Sequence, residues 1–121
     1  MEPFKAKNME LQIAGILAIL TGIGHAYLGD VNIKSQAISP PKEKMNIRAC
    51  YQFGSLGWIV GGVLFIGAPF THQSPAHFWI VFAFMPLFAF AAMVNFWFSK
   101  GRHFGWVMLL GIIVLSMLSL R

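Results

Sequence analysis

A charge-free stretch of 51 residues fills the middle of the sequence, residues 49–99, and reads ACYQFGSLGWIVGGVLFIGAPFTHQSPAHFWIVFAFMPLFAFAAMVNFWFS. A helix that crosses the hydrocarbon core of a bilayer needs about 20 predominantly apolar residues. The stretch is therefore too long for one crossing and long enough for two. Two prolines and several polar residues lie together at 67–75, GAPFTHQSP, which is typical of a turn. We expect membrane-spanning helices over 49–66 and 76–98.

Two further stretches without Asp, Glu, Lys or Arg flank this one, at 11–29 and 103–120. By the same length argument they predict a first span over 11–28 and a fourth over 104–120. Four spans with short connections predict an all-α, integral membrane four-helix bundle with up-down-up-down topology. We expect a single transmembrane domain over 1–121.

Composition supports this fold class and excludes several others. The chain is 57% hydrophobic and 11% charged, whereas a soluble domain is roughly 25% charged. So few polar residues could not cover the surface of a water-soluble domain of this size. The net charge of +5 comes from short basic flanks rather than from a basic stripe, so we expect no nucleic-acid partner and expect the bilayer itself as the partner. The single cysteine, Cys50, excludes an internal disulfide.

The basic residues predict an orientation. The side of the bundle that carries the connections at 30–47 and 100–103 has six of them: Lys34, Lys42, Lys44, Arg48, Lys100 and Arg102. The side with the chain termini has three: Lys5, Lys7 and Arg121. Cytoplasmic connections carry an excess of Lys and Arg. We therefore expect a multi-pass protein of a bacterial-type inner membrane, with a substantial polar loop over 30–47 in the cytoplasm and both termini outside.

Small residues mark the helix faces that pack closely, because lipid supplies no hydrophobic drive for helix association. The first span has a stripe at helical spacing, made of Ala14, Ala18, Thr21, Gly22 and His25. The second span has Gly54, Gly57 and Gly61, of which the last two form a GxxxG match. This strip predicts either tight packing within the chain or contact with a second copy or a partner membrane protein.

Polar side chains gather at one membrane face of the predicted bundle. Arg48, Gln52 and Ser55 follow one another at i, i+4 and i+7, on one face of the second span. Asp30 is placed to pair with Arg48 across the loop. We predict a shallow ligand-binding pocket at this face. Its residues are His25, Asp30, Arg48, Tyr51, Gln52 and Asn95.

Each of these residues also has a purely structural interpretation. Arg48 is of a type that anchors helices to lipid phosphates. Gln52 and Asn95 are of types that bond neighbouring membrane helices. His25 lies on the packing stripe, where a hydrogen-bonded core histidine and a functional group are equally compatible with the sequence. The opposite face has its own polar residues: Thr71, His72, Gln73, Ser74 and His77.

Several kinds of chemistry lack a signature. No HxxxH or CxxC supports a metal site, no nucleotide or nucleophile motif occurs, and no cofactor is identified. In length and span number the chain is similar to the small multidrug resistance transporters, and in shape to compact four-helix families such as the DoxX-like proteins. The former family carries an essential glutamate inside its first helix, where this chain has no carboxylate over 11–29. The resemblance is one of size, and no residue role follows from it.

Three classes of function remain. The first is a non-catalytic membrane protein, either an accessory subunit or a binder of a lipid or small apolar ligand through the shallow pocket. The second is a small membrane enzyme acting on a lipid-soluble substrate, with His25 as acid or base and Arg48 as anion partner. The third is an oligomeric transporter or channel assembled through the glycine strip. Because no catalytic constellation is visible, we expect the first.

Overall fold

A computed structural model describes residues 3–71 and 74–121, with side chains described over 8–71 and 75–121. The described part is an antiparallel bundle of four α-helices, which confirms the predicted fold class. The helices are α1 (Pro3–Ser35), α2 (Pro41–Gly67), α3 (Ser74–Ser99) and α4 (Gly105–Leu118), with a short 3-10 turn at Ala68–Phe70. No β-strand occurs in these residues.

Three of the helices are long and apolar enough to cross a membrane. The segments with this property are Asn8–Ser35, Pro41–Phe70 and Pro75–Ser99. The fourth helix, Gly105–Leu118, has 14 residues. At 1.5 Å per residue it is about 21 Å long, shorter than the roughly 30 Å hydrocarbon core. The predicted fourth crossing over 104–120 therefore depends on the residues that flank this helix, and it stays a prediction.

The first two helices are longer than the spans predicted for them, and the prediction of a loop over 30–47 is wrong. α1 runs on to Ser35 and α2 begins at Pro41, so the connection has shrunk to 36–40. Lys34 lies one turn after Asp30, and the two side chains pair at 2.6 Å, which favours helix there. Pro41 occupies the first turn of α2, where its missing N–H is not needed. The polarity of residues 30–47 predicted a loop, but most of these residues lie in the two helices.

Glycine allows α1 and α2 to approach until their backbones touch. A methyl group placed on Gly15 would lie 2.6 Å from the carbonyl oxygen of Gly62, and one on Gly62 would lie 2.5 Å from the carbonyl oxygen of Gly15. Seven residues further along α1, a methyl group on Gly22 would lie 2.9 Å from the carbonyl oxygen of Ser55. Gly29 continues the series against the ring of Tyr51. We refer to this contact as the α1–α2 seam.

The remaining helices close the bundle against α2 and α1. Gly61 and Gly57 of α2 face α3, where a methyl group would meet Phe84 and Leu87 respectively, while Gly54 has open space around it. The face predicted for oligomer contact is thus largely packed within the chain, and a partner at Gly54 stays a prediction. α4 packs against both α3 and α1. The core between the helices is apolar and includes Leu11, Phe65, Val81, Phe88, Leu109 and Ile112.

The antiparallel order places the predicted polar groups at one end of the bundle. That end contains the end of α1, the start of α2, the end of α3 and the start of α4. At the other end, Nε2 of His77 lies 3.2 Å from Oγ of Ser119, joining the start of α3 to the end of α4. His72 and Gln73, which the sequence also places there, lie outside the described residues.

Candidate functional site

The candidate site begins with an ion-pair cluster that joins the two long helices. Oδ1 of Asp30 on α1 contacts Nε of Arg48 on α2, and Oδ2 of the same carboxylate contacts Nζ of Lys34 at 2.6 Å. The Asp30 side chain is 20% exposed and that of Arg48 is 50% exposed. One carboxylate therefore faces two cations, and the cluster carries net positive charge. The structure contains the Asp30–Arg48 pair that the sequence suggested.

An open groove runs from this cluster along the outer side of the α1–α2 seam. Its volume is about 520 Å³. The residues that line it are Ile23, Ala26, Tyr27, Asp30, Arg48, Gln52 and Ile59. Towards the middle of the bundle its walls are Ile23, Ala26 and Ile59, and towards the end they are the ionic and amide groups. Gln52 contributes to the wall while donating from Nε2 to the carbonyl of Ala26 at 3.4 Å. We refer to this feature as the seam groove.

Chain periodicity explains why these residues share a wall. Ile23, Ala26 or Tyr27, and Asp30 follow one another at i, i+3 or i+4, and i+7 along α1. Arg48, Gln52 and Ile59 do the same on α2, with a spacing of four and then seven. Because the helices are antiparallel, the polar end of one stripe meets the polar end of the other. The result is a groove whose polarity changes along its length.

His25 lies on the other side of the seam, within a cluster of aromatic rings. Its imidazole stacks on the Tyr51 ring, with centroids 4.9 Å apart and an interplanar angle of 18°. The ring of Trp58 lies on it at 4.6 Å and 54°. Nδ1 of His25 is 2.9 Å from Oγ of Ser55, which is 1% exposed. The imidazole is therefore held by packing on two sides and by a hydrogen bond.

The hydrogen bonds of Ser55 define the tautomer of this imidazole. Ser55 Oγ donates to the Tyr51 carbonyl at 2.9 Å, one turn back along α2. A hydroxyl has a single hydrogen to donate, so its oxygen accepts the second bond. Neutral His25 then carries its hydrogen on Nδ1 and donates it to Ser55, which leaves Nε2 as an acceptor.

The six residues predicted for the pocket are divided among three places. Asp30, Arg48 and Gln52 meet in the seam groove. His25 and Tyr51 meet on the opposite side of the seam. Asn95 lies at the end of α3, where its Nδ2 donates to the Ala91 carbonyl at 3.0 Å within its own helix. The binding roles of all six stay predictions.

Sequence reasoning missed the apolar half of the groove and one wall of the histidine cluster. The sequence patterns singled out none of the four residues concerned, which are Ile23, Ala26, Ile59 and Trp58. Their helical spacing from Asp30, Arg48 and His25 was the available signal. This spacing becomes informative only when the register between α1 and α2 is known, because residues on one face of a helix line a groove only where the neighbouring helix packs beside them.

A second groove, between α3 and α4, differs in chemistry. Its volume is about 470 Å³, and its lining carries no charged side chain: Ala89, Ala92, Met93, Phe96, Trp106, Leu110 and Ile113. Trp106 donates from Nε1 to the Gly101 carbonyl at 3.1 Å, so its polar atom is already used. We refer to it as the apolar groove. Among the described side chains, no three His, Cys, Asp or Glu residues come together in a way that could hold a metal ion.

The chain matches no protein-family model, no curated protein and no solved structure.

Proposed function

We propose that this chain is a small integral membrane protein that binds an amphiphile, a lipid or a small apolar molecule with a polar head, in the seam groove. The observation that carries the proposal is the change of polarity along the groove. Isoleucine and alanine form the walls towards the middle of the bundle, and Asp30, Arg48 and Gln52 form them at its end. A ligand with an apolar tail and a polar head matches this order.

The size and location of the groove support a binding role. Small-molecule sites in proteins combine apolar walls with a few polar groups that fix orientation, and this open groove of about 520 Å³ has both. It opens at the side of two helices that are long enough to cross a membrane. A ligand dissolved in the bilayer could therefore enter laterally and keep its head at the level of the ionic groups.

An enzymatic role is the second candidate, and the orientation of His25 is the observation that favours it. A general base needs a fixed tautomer with an accessible lone pair, and the Ser55 bond leaves Nε2 in that role. The groove at Arg48, however, is not lined by His25 among the described residues. Because a substrate in that groove would not face the imidazole, binding without catalysis fits the geometry better. Transport is less supported, since the sequence has no carboxylate over 11–29.

Filling the seam groove tests the proposal. Ala26→Trp places an indole between the isoleucine walls, and we expect it to remove a lipid that the wild-type chain retains after extraction. The measurement is native mass spectrometry of the purified chain released from lipid nanodiscs. The matched control is Ala89→Trp, because Ala89 is an exposed residue of the apolar groove. Retention of the same lipid by Ala26→Trp would refute binding in the seam groove.

The proposal includes an orientation in which the polar end of the groove faces the cytoplasm and both termini lie outside. Lys42 provides the test, because it is exposed at that end of α2 and lies before the span predicted over 49–66; the variant carries Cys50→Ser together with Lys42→Cys. We expect a membrane-impermeant maleimide to label it only after the cells are permeabilised. The control carries Cys50→Ser together with Arg121→Cys, and it should be labelled in intact cells. Labelling of the Lys42→Cys variant in intact cells would reverse the orientation.

A further inference from the structure

We infer that the polar end of the seam groove binds the phosphodiester of an anionic phospholipid, in preference to a zwitterionic lipid with a choline head. The inference rests on the proposed function and adds the class of headgroup. It follows from which hydrogen-bonding groups of the Asp30–Arg48–Lys34 cluster are already used and which remain available.

Both carboxylate oxygens of the cluster lie in ion pairs within the protein. One oxygen of Asp30 contacts Arg48 and the other contacts Lys34. Asp30 is also the least exposed residue of the cluster, with 20% of its side chain accessible against 50% for Arg48 and 62% for Lys34. A choline or ammonium head would have to displace one of these cations to reach the carboxylate. The cluster is therefore poorly suited to a cationic head.

The donors of the cluster are available. A guanidinium presents several N–H groups in a planar fork that matches phosphate oxygens, and Asp30 engages Arg48 at Nε. The terminal nitrogens of Arg48 thus remain for a ligand. The Tyr27 hydroxyl belongs to the same lining and adds a neutral donor. Gln52 Nε2 has two hydrogens, of which the Ala26 carbonyl accepts one, so the second is also available.

The charge around the groove agrees with this assignment. Lys42, Lys100 and Arg102 lie at the same end of the bundle, against the single further carboxylate of Glu43. Lys44 also lies there, and its Nζ donates to the carbonyls of Lys34 and Gln36 at 3.0 and 2.9 Å, which closes the α1–α2 connection. An anionic head is attracted by this end of the bundle, and Arg48 is the cation that lines the groove.

The experiment compares two lipids with identical acyl chains. The full chain is placed in nanodiscs that contain equal amounts of phosphatidylglycerol and phosphatidylcholine, and the lipids that stay bound are counted by native mass spectrometry. We expect phosphatidylglycerol to be retained over phosphatidylcholine by roughly tenfold, about 1.4 kcal/mol. Both lipids present the same phosphodiester to Arg48, but only choline brings a cation to a cluster whose net charge is positive. Arg48→Gln should bring this ratio close to one. Arg102→Gln removes the same charge at the same end of the bundle, from a residue outside the groove lining, and should leave the ratio unchanged.

Two further arms keep the inference open to refutation if Arg48→Gln disturbs folding. Asp30→Asn removes the competing carboxylate, so retention of phosphatidylglycerol should rise; a fall in choline-lipid binding with this variant would mean that the carboxylate recognises a cationic head. Inorganic phosphate at millimolar concentration should not displace the lipid, because it lacks the acyl chain; displacement would identify a site for soluble anions instead.

The outcomes separate this inference from the proposed function. Equal retention of both lipids, lost in Ala26→Trp, would leave a lipid-binding groove and refute the headgroup assignment. An equal loss of the preference in Arg102→Gln and Arg48→Gln would refute it too, because general surface charge would then explain the preference. Failure of the wild-type chain to retain either lipid would refute both.

Discussion

Substitution of Gly62 by alanine should weaken the bundle by pushing its two long helices apart. The new methyl group would lie 2.5 Å from the Gly15 carbonyl oxygen and 2.7 Å from a side-chain carbon of Ile19. An ordinary van der Waals contact begins near 3.4 Å, so the seam must open locally by about 0.9 Å to accept it. The obstructing oxygen belongs to the backbone of α1, which cannot rotate away as a side chain does.

The expected loss of stability follows from two opposing effects. Overpacking a close contact costs about 1–3 kcal/mol. Alanine in place of glycine within a helix raises the free energy of unfolding by about 0.5–1 kcal/mol, because glycine loses more backbone freedom on folding. We therefore expect a net loss of up to about 2.5 kcal/mol in the free energy of unfolding. It should be measured by denaturation with SDS in mixed micelles, followed by far-UV circular dichroism and tryptophan fluorescence.

The matched control is Gly54→Ala, which introduces the same methyl group into the same helix with no atom within 4 Å. This variant should be as stable as the wild type or slightly more stable. Gly15→Ala meets the seam from the other side, and the double variant with Gly62→Ala should lose less than the sum of the two single losses, because the second methyl enters space that the first has opened. Equal stability of Gly62→Ala and Gly54→Ala would refute the close seam.

Two other predictions concern single hydrogen bonds. Ser55→Ala removes the acceptor of the His25 hydrogen bond and should lower the free energy of unfolding by about 0.5–1.5 kcal/mol. Nitrogen NMR of the labelled imidazole should show loss of the fixed Nδ1–H tautomer. The control is Ser116→Ala, because Ser116 is equally buried and its hydroxyl bonds its own helix backbone; this variant should leave the imidazole spectrum unchanged. Trp106→Phe removes the indole donor to the Gly101 carbonyl and should cost about 0.5–1.5 kcal/mol; SDS denaturation without any loss would show that this bond does not stabilise the α3–α4 turn.

The arrangement of charges was enough to predict the number and order of the helices, because the length of each uncharged stretch shows how many membrane-spanning helices it can form. It was not enough to predict the connection after α1. Asp30 and Lys34 were interpreted as loop residues, yet the same two charges pair along a helix. Polarity reports whether a segment meets water, and a helix that extends beyond the bilayer meets water too. Helix ends near a membrane surface therefore need local pairing and proline position as evidence, in addition to hydropathy.

The residue types of the candidate site were predictable from the sequence, but the division of these residues between the two sides of the seam was not. Arg48, Gln52 and Ser55 were correctly placed on one face of α2, and all three meet α1. The sequence could not show that this face straddles the seam, with Arg48 and Gln52 on one side and Ser55 on the other. A few degrees of rotation about the helix axis decide which side a residue reaches. That rotation is fixed by the glycine contacts with the other helix, and these are a property of the pair.

The two sides of the seam consequently depend on one register. A shift of α2 against α1 by one helical turn, 5.4 Å in an ideal helix, would separate His25 from Ser55 and Asp30 from Arg48 together. It would also move Gly62 away from Gly15 and bring larger side chains into a contact that accepts only glycine. The histidine cluster and the ion pair thus specify the same alignment of α1 and α2 from opposite sides of the seam. The glycines exclude the alignments that are shifted by one helical turn. The polarity of the groove is therefore set by helix packing alone, and its apolar and ionic ends keep their order without any ligand.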